Sequence, residues 1–195
     1  MKKLRFVIVA GLLSLVSAPA LSQVAIASFD FVKAVKEKNG DKVTQLLQSN
    51  PPGIVNARDN DGNTALIVAI NRQDPDWTSF LIGKGADIDL PGKAGETPLI
   101  ASARAGFEEG LEWLVGEGAK VNEANRAGET PIIVAVQQRD LRMVRILLSA
   151  GADPDKTDSA QGFSARQYAE RDPRARQILE SINARRPKPG GTTGH

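Results

Sequence analysis

The glycines Gly62, Gly95 and Gly128 stand 33 residues apart, and each is followed two positions later by a threonine, Thr64, Thr97 or Thr130. A second series, Gly85-Ala86-Asp87, Gly118-Ala119-Lys120 and Gly151-Ala152-Asp153, keeps the same interval. Two marker series in one register exclude an ordinary globular layout. A unit of ~33 residues cannot bury an apolar face alone, so its copies must stack and share one elongated core.

Each copy reads as two short helices. The threonine after the turn glycine is placed to cap the first helix, its hydroxyl accepting from an unpaired N–H of the first turn. Pro98 and Pro131 follow at the first helical position, where the missing N–H costs nothing, and Ala65 replaces them in the first regular copy. Ala69, Ser102 and Ala135 share a register and keep the first helices narrow, while the second helices carry the bulk in Trp77, Phe80, Leu81, then Leu111, Trp113, Leu114, then Met143, Val144, Ile146, Leu147. The two tryptophans read as core residues. Gly85, Gly118 and Gly151 suit the left-handed residue that ends a helix.

The flanks depart from the pattern as capping units should. Phe31, Val32, Ala34 and Val35, then Val43, Leu46 and Leu47, form a helix pair broken at Asn39-Gly40 and ended by Pro51-Pro52. At the other end Ser164 to Ala169 replaces the usual helix start, and Ile178, Leu179 and Ile182 give a last apolar stripe. The expected array covers 28–184, divided as 28–58, 59–91, 92–124, 125–157 and 158–184, with 185–195 as a disordered tail.

The segments Asp61-Gly62-Asn63-Thr64-Ala65-Leu66-Ile67, Ala94-Gly95-Glu96-Thr97-Pro98-Leu99-Ile100 and Ala127-Gly128-Glu129-Thr130-Pro131-Ile132-Ile133 resemble the ankyrin repeat. The resemblance implies an all-α solenoid of about five helix pairs, with short β-turn, hairpin-like loops on one side. It implies a non-enzymatic binder of other proteins, with the partner held by the concave surface of loop tips and inner helices. Carried over residue by residue, that surface is Asn60, Asp61, Asn63, Asn71 and Arg72, then Lys93, Glu96 and Arg104, then Arg126, Glu129, Gln137 and Gln138. Arg72, Arg104 and Arg126 are its best anchors. The family pattern usually has a histidine after Thr-Pro-Leu, bridging loops by hydrogen bonds. Ile67, Ile100 and Ile133 stand there instead, which predicts apolar packing between repeats and puts the usual loop-to-loop bonding in doubt.

The N-terminus has its own order: a positive start with Lys2, Lys3 and Arg5, an apolar run from Phe6 to Val16, then the small residues Ser17 to Gln23. This is the order of a secretory signal peptide, expected to span 1–22, with cuts also allowed after Ala20 and Ala27. It predicts a periplasmic or secreted protein. Loss of the leader leaves 22 of the 25 basic residues against 23 acidic ones, so charge gives no argument for nucleic acid.

Catalysis and metal binding find little to work with. Cysteine is absent and the single histidine is His195, which excludes triad chemistry and His/Cys metal sites. Asp59-Asn60-Asp61-Gly62-Asn63 resembles part of a calcium loop, but Ala57 and Val68 stand where ligands are required. Glu108, Glu109 and Glu112 read as a solvated face. No cofactor is expected, and the chain reads as a monomer. A second reading rests on the basic end, Arg171, Arg174, Arg176, Arg185, Arg186 and Lys188, as a contact for anionic lipid at the cell envelope.

Overall fold

The structure is a computed structural model that describes residues 18–50 and 52–184. Most of the leader reading, and all of the tail reading at 185–195, lie outside the described residues. Among those described, ten α-helices form five pairs: α1 (Ala18–Lys36) with α2 (Gly40–Ser49), α3 (Ala65–Asn71) with α4 (Pro75–Gly83), α5 (Pro98–Ala105) with α6 (Glu108–Gly116), α7 (Pro131–Gln137) with α8 (Leu141–Ser149), and α9 (Ala165–Arg171) with α10 (Arg176–Ala184). The first helices stack one on the next from α1 through α9, and α4, α6, α8 and α10 make a second row. The expected all-α solenoid is the observed fold. Its hairpin-like loops show as isolated antiparallel bridges, Arg58 with Thr64 and Thr157 with Ser164.

Side-chain size explains the two rows. Ala65–Ile70, Pro98–Ala103 and Pro131–Val136 are buried without interruption, because each first helix is enclosed by its neighbours in the row and by its own second helix. Ile67, Ile100 and Ile133 are no more than 1% exposed, so the apolar packing expected at the family's histidine position is what holds neighbouring repeats together. Trp77 and Trp113 pack against the core but are only partly buried, each edge-on to a phenylalanine, Phe80 and Phe107 respectively.

Helix starts follow the sequence with one exception. Thr64 and Thr97 accept from the N–H of Ile67 and Ile100, both at 3.2 Å. Thr130 makes no such bond, and its buried hydroxyl has no partner. The expectation of a threonine cap in every regular repeat is therefore corrected at Thr130, although its backbone is extended like the others. A matched pair of substitutions tests this. Thr97→Val should cost about 1 kcal/mol of unfolding free energy by removing a cap. Thr130→Val should be neutral or slightly stabilising, because it removes an unpaired buried hydroxyl. Urea midpoints of the two variants decide.

The turns between paired helices carry a strain that the sequence reading missed. Lys38, Gln73 and Arg139 adopt left-handed backbone at φ 55°, 50° and 58°, where Gly106 occupies the equivalent place in the middle repeat. Left-handed backbone costs a residue with a Cβ roughly 1–2 kcal/mol. Each of the three side chains offsets this by reaching the next repeat: Lys38 Nζ to Asp74 at 2.6 Å, Gln73 Nε2 to the Ala105 carbonyl at 2.5 Å, and Arg139 Nε to Asp172 at 2.6 Å.

The end pairs differ from the middle ones. Helix α1 is described over Ala18–Lys36 and so includes residues before the helical pattern expected from Phe29. No Pro or Gly occurs from Ala20 to Lys36 to interrupt it. At the opposite end Arg166 is buried. Its guanidinium grips Asp155 with two bonds, 2.6 and 3.0 Å, and donates to Asn183 at 2.5 Å. Beside it the Tyr168 hydroxyl donates to Asp158 at 2.5 Å. Burial would raise the Asp158 carboxyl, but bonds from Tyr168 and the N–H groups of Gln161 and Gly162 outweigh it and hold the group low.

Burial first, and then the bond to Asp158, push Tyr168 up to about 12 from 10.0. The folded value lies above the unfolded one, so the stabilisation is complete below pH ~10 and is lost as pH rises through the folded value. Tyr168 is the only tyrosine, so absorbance at the tyrosinate band reports it alone. That titration should be delayed toward 12 in the folded protein, and Asp158→Asn should move it back toward 10.

Candidate functional site

The candidate positions fall into two groups. Asn60, Asp61, Asn63, Lys93, Glu96, Arg126 and Glu129 lie on the hairpin-like loops, while Asn71, Arg72, Arg104, Gln137 and Gln138 lie at the ends of first helices. In the three regular repeats the first helices α3, α5 and α7 expose nothing before their last turn, so loop tips and helix ends are what they offer to a partner.

The loops are locked to one another by two ladders. At the tips, the Lys93 N–H donates to Asn63 Oδ1 at 3.1 Å, Arg126 N–H to the Ala94 carbonyl at 2.9 Å, and Ser159 N–H to the Ala127 carbonyl at 2.8 Å. At the bases, Asn56, Asp89 and Asn122 accept from the N–H of Asp87, Lys120 and Asp153 at 2.8 to 2.9 Å. Loop-to-loop bonding therefore survives without the family's histidines, which corrects the doubt the isoleucines raised. Close approach is part of the design. A Cβ at Gly92 would sit 2.7 Å from Asn63 Oδ1, and one at Gly128 would sit 2.5 Å from the Ser159 nitrogen.

Within single loops, Asp59 Oδ1 accepts from the N–H of Asp61 and Asn63, and Oδ2 takes Lys36 Nζ at 2.8 Å. Burial would raise Asp59, but Lys36 and these N–H groups hold it below its ordinary value. The segment that resembled part of a calcium loop uses this carboxylate to shape a turn. Asn125 does the same for Ala127 and Glu129.

Two of the three arginine anchors have duties inside the fold. Arg72 donates to the Lys36 carbonyl at 2.7 Å, a cation at the C-terminal end of α1. Arg104 leans back along α5 to meet Glu96 at 2.9 Å and Glu129 at 2.8 Å, and Asn125 Nδ2 also donates to Glu129. Burial would lower the Arg104 guanidinium, but its two carboxylates raise it instead. The expectation that these side chains stand where the fold does not need them is corrected for Arg72, Arg104, Glu96, Glu129 and Asn63. Asp61 and Lys93 are loosely paired at 3.9 Å, and Gln137 lies within hydrogen-bonding reach of the Tyr168 hydroxyl.

That leaves Asn60, Asn71, Arg126 and Gln138 exposed and without a side-chain partner among the described residues. Arg126 also borders a recess of about 340 Å³ between two loops, lined by Asp89, Thr97, Lys120, Glu123 and Asn125. The described part of the basic end, Arg171, Arg174 and Arg176, is engaged internally. Arg139 and the Arg174 N–H and guanidinium hold Asp172 well below the usual carboxylate range, Arg176 pairs with Glu180, and Arg171 lies 4.3 Å from the centre of the Phe163 ring. Glu108, read as solvated, is half-buried and pairs with Arg142.

The stacked pairs, the shared interval and the loop ladders have a counterpart in known proteins: the family description "Ankyrin repeats (3 copies)" matches residues 31–125 and again 71–158. The chain belongs to the ankyrin-repeat family. A search of curated proteins found no match. Ankyrin repeats are generally protein-interaction modules and typically carry no enzymatic activity, and this ankyrin-repeat chain presents its polar loop tips on a rigid, internally bonded frame.

Proposed function

We propose that this protein is exported to the periplasm or the cell exterior by a cleaved N-terminal signal peptide, and that it acts there as a monomeric, non-enzymatic binder of another protein. The partner meets the loop tips and first-helix ends. Arg126 carries the reading: it is exposed and unpaired among the described residues, so its guanidinium is available to an acidic side chain of the partner. The lipid reading has less support, because Arg171, Arg174 and Arg176 already have partners inside the fold, while Arg185, Arg186 and Lys188 lie outside the described residues.

Cross-linking in the native compartment tests the surface. Arg126→Glu together with Gln138→Arg should reduce the cross-linked partner at least about tenfold, the scale of one lost anchor. A Glu109→Gln control on α6 should leave it unchanged. Equal retention by both variants would overturn the surface assignment. N-terminal sequencing of the exported protein should find a cut at or near Ser22, and an intact Met1 would overturn export by this route.

A further inference from the structure

A second surface lies on the second-helix row. Between the last turns of α4 and α6 a groove of about 470 Å³ is lined by Ser79, Ile82, Gly83, Glu112, Trp113 and Glu117. Ser79 and Glu112 are 33 residues apart and occupy equivalent places, so the two helices run side by side in the same direction. The groove therefore sits at the C-terminal ends of both, where peptide carbonyls outnumber their intrahelical donors and the helix dipoles present negative charge.

The neighbouring repeat shows what the site is suited to. In α4 the chain places its own cation on the ring: Lys84 Nζ lies 5.4 Å from the centre of Phe80. One interval later the equivalents of Phe80 and Lys84 are Trp113 and Glu117. The ring is the better cation acceptor, and the residue that could have covered it is a carboxylate. Among the described residues no cation lies over Trp113, and Glu117 has no ion-pair partner. Glu112 meets Arg142 only at 4.0 Å, because the Arg142 Nε is taken by Glu108. An indole face, two carboxylates and two helix C-termini thus converge on one open groove.

We propose that this groove docks a basic segment of a partner protein, seating one lysine or arginine side chain between Trp113 and Glu117. The occupant follows from charge: Glu112, Glu117 and the two helix C-termini around Trp113 are anions or acceptors, so an ammonium or guanidinium gains from each of them while an acidic residue does not. The site is separate from the loop tips, so one molecule can hold an acidic surface and a basic segment at once.

Trp77 and Trp113 are the only tryptophans, so full-length protein carrying Trp77→Phe reports on Trp113 alone. Titrated with a synthetic lysine- and arginine-rich hexapeptide, its fluorescence should change saturably, and a glutamate-rich hexapeptide of equal length should have no effect. Glu112→Gln with Glu117→Gln should weaken the basic peptide about tenfold, and Arg126→Glu should leave it unchanged; circular dichroism confirms that each variant is folded. Absence of a saturable change, or a change indifferent to the two carboxylates, would overturn the proposal. A response seen only after residues 185–195 are deleted would overturn it too, since the groove would then belong to the chain's own Arg185–Lys188.

Discussion

Replacing Gly128 by alanine should lower the unfolding free energy by about 3 kcal/mol, whereas the same change at Gly62 should cost only about 1 kcal/mol. Both glycines are left-handed, at φ 78° and 86°, so both variants bear the backbone penalty. They differ in what the new methyl meets. At Gly62 nothing lies within 4 Å, while at Gly128 the Ser159 nitrogen would be 2.5 Å away and the Asp158 carbonyl carbon 3.0 Å away. Those are backbone atoms that cannot rotate aside, so the last two loops must separate and the Ser159 N–H must release the Ala127 carbonyl. Urea unfolding gives the two free energies. Amide exchange at Ser159 should speed up in Gly128→Ala and stay slow in Gly62→Ala. Equal losses in the two variants would show that close approach of the loops contributes nothing.

Ile100→Ala should cost about 3–4 kcal/mol, the range for emptying a closed site of this size. Ile100 is fully buried at the position where α5 meets its neighbours in the first-helix row. Its location in the middle repeat adds a qualitative effect. Stability in a stacked array is a sum of unit and nearest-neighbour terms, so weakening a central interface divides one cooperative unit into two. The unfolding slope in urea should therefore fall along with the midpoint. Ile26→Ala is the control, since that side chain on α1 is 59% exposed and should change neither quantity by more than about 0.5 kcal/mol.

The residues readable from sequence were those whose role is set within their own repeat. Thr64 and Thr97 cap, Pro98 and Pro131 start helices, and Gly85, Gly118 and Gly151 end them, because each acts on backbone within a turn or two. Ile67, Ile100 and Ile133 were legible as packing residues because an apolar side chain recurs at one fixed position of each repeat. What escaped was fixed by contact between repeats. Arg72 and Arg104 were read as free because nothing in a linear pattern says that a long side chain will fold back onto a carbonyl in α1 or onto carboxylates in two loops. Thr130 shares with Thr97 the Ala-Gly-Glu before it and the proline after it, yet it lacks the bond. The base ladder could have been found: Asn56, Asp89 and Asn122 keep the 33-residue interval, and their short acceptor side chains suit loop bonding.

The fourth member of that series, Asp155, uses its carboxylate differently. Arg166, on the first helix of the following pair, grips it with its guanidinium, while Asn56, Asp89 and Asn122 each take a backbone N–H from the following unit. The interior units of the array therefore carry interchangeable donors and acceptors. A duplicated 92–124 segment spliced in at residue 124 would find matching acceptors on one side and matching donors on the other. Each interior unit brings the same acceptor and the same donor, so duplication inside the array is the natural first step toward building a longer one.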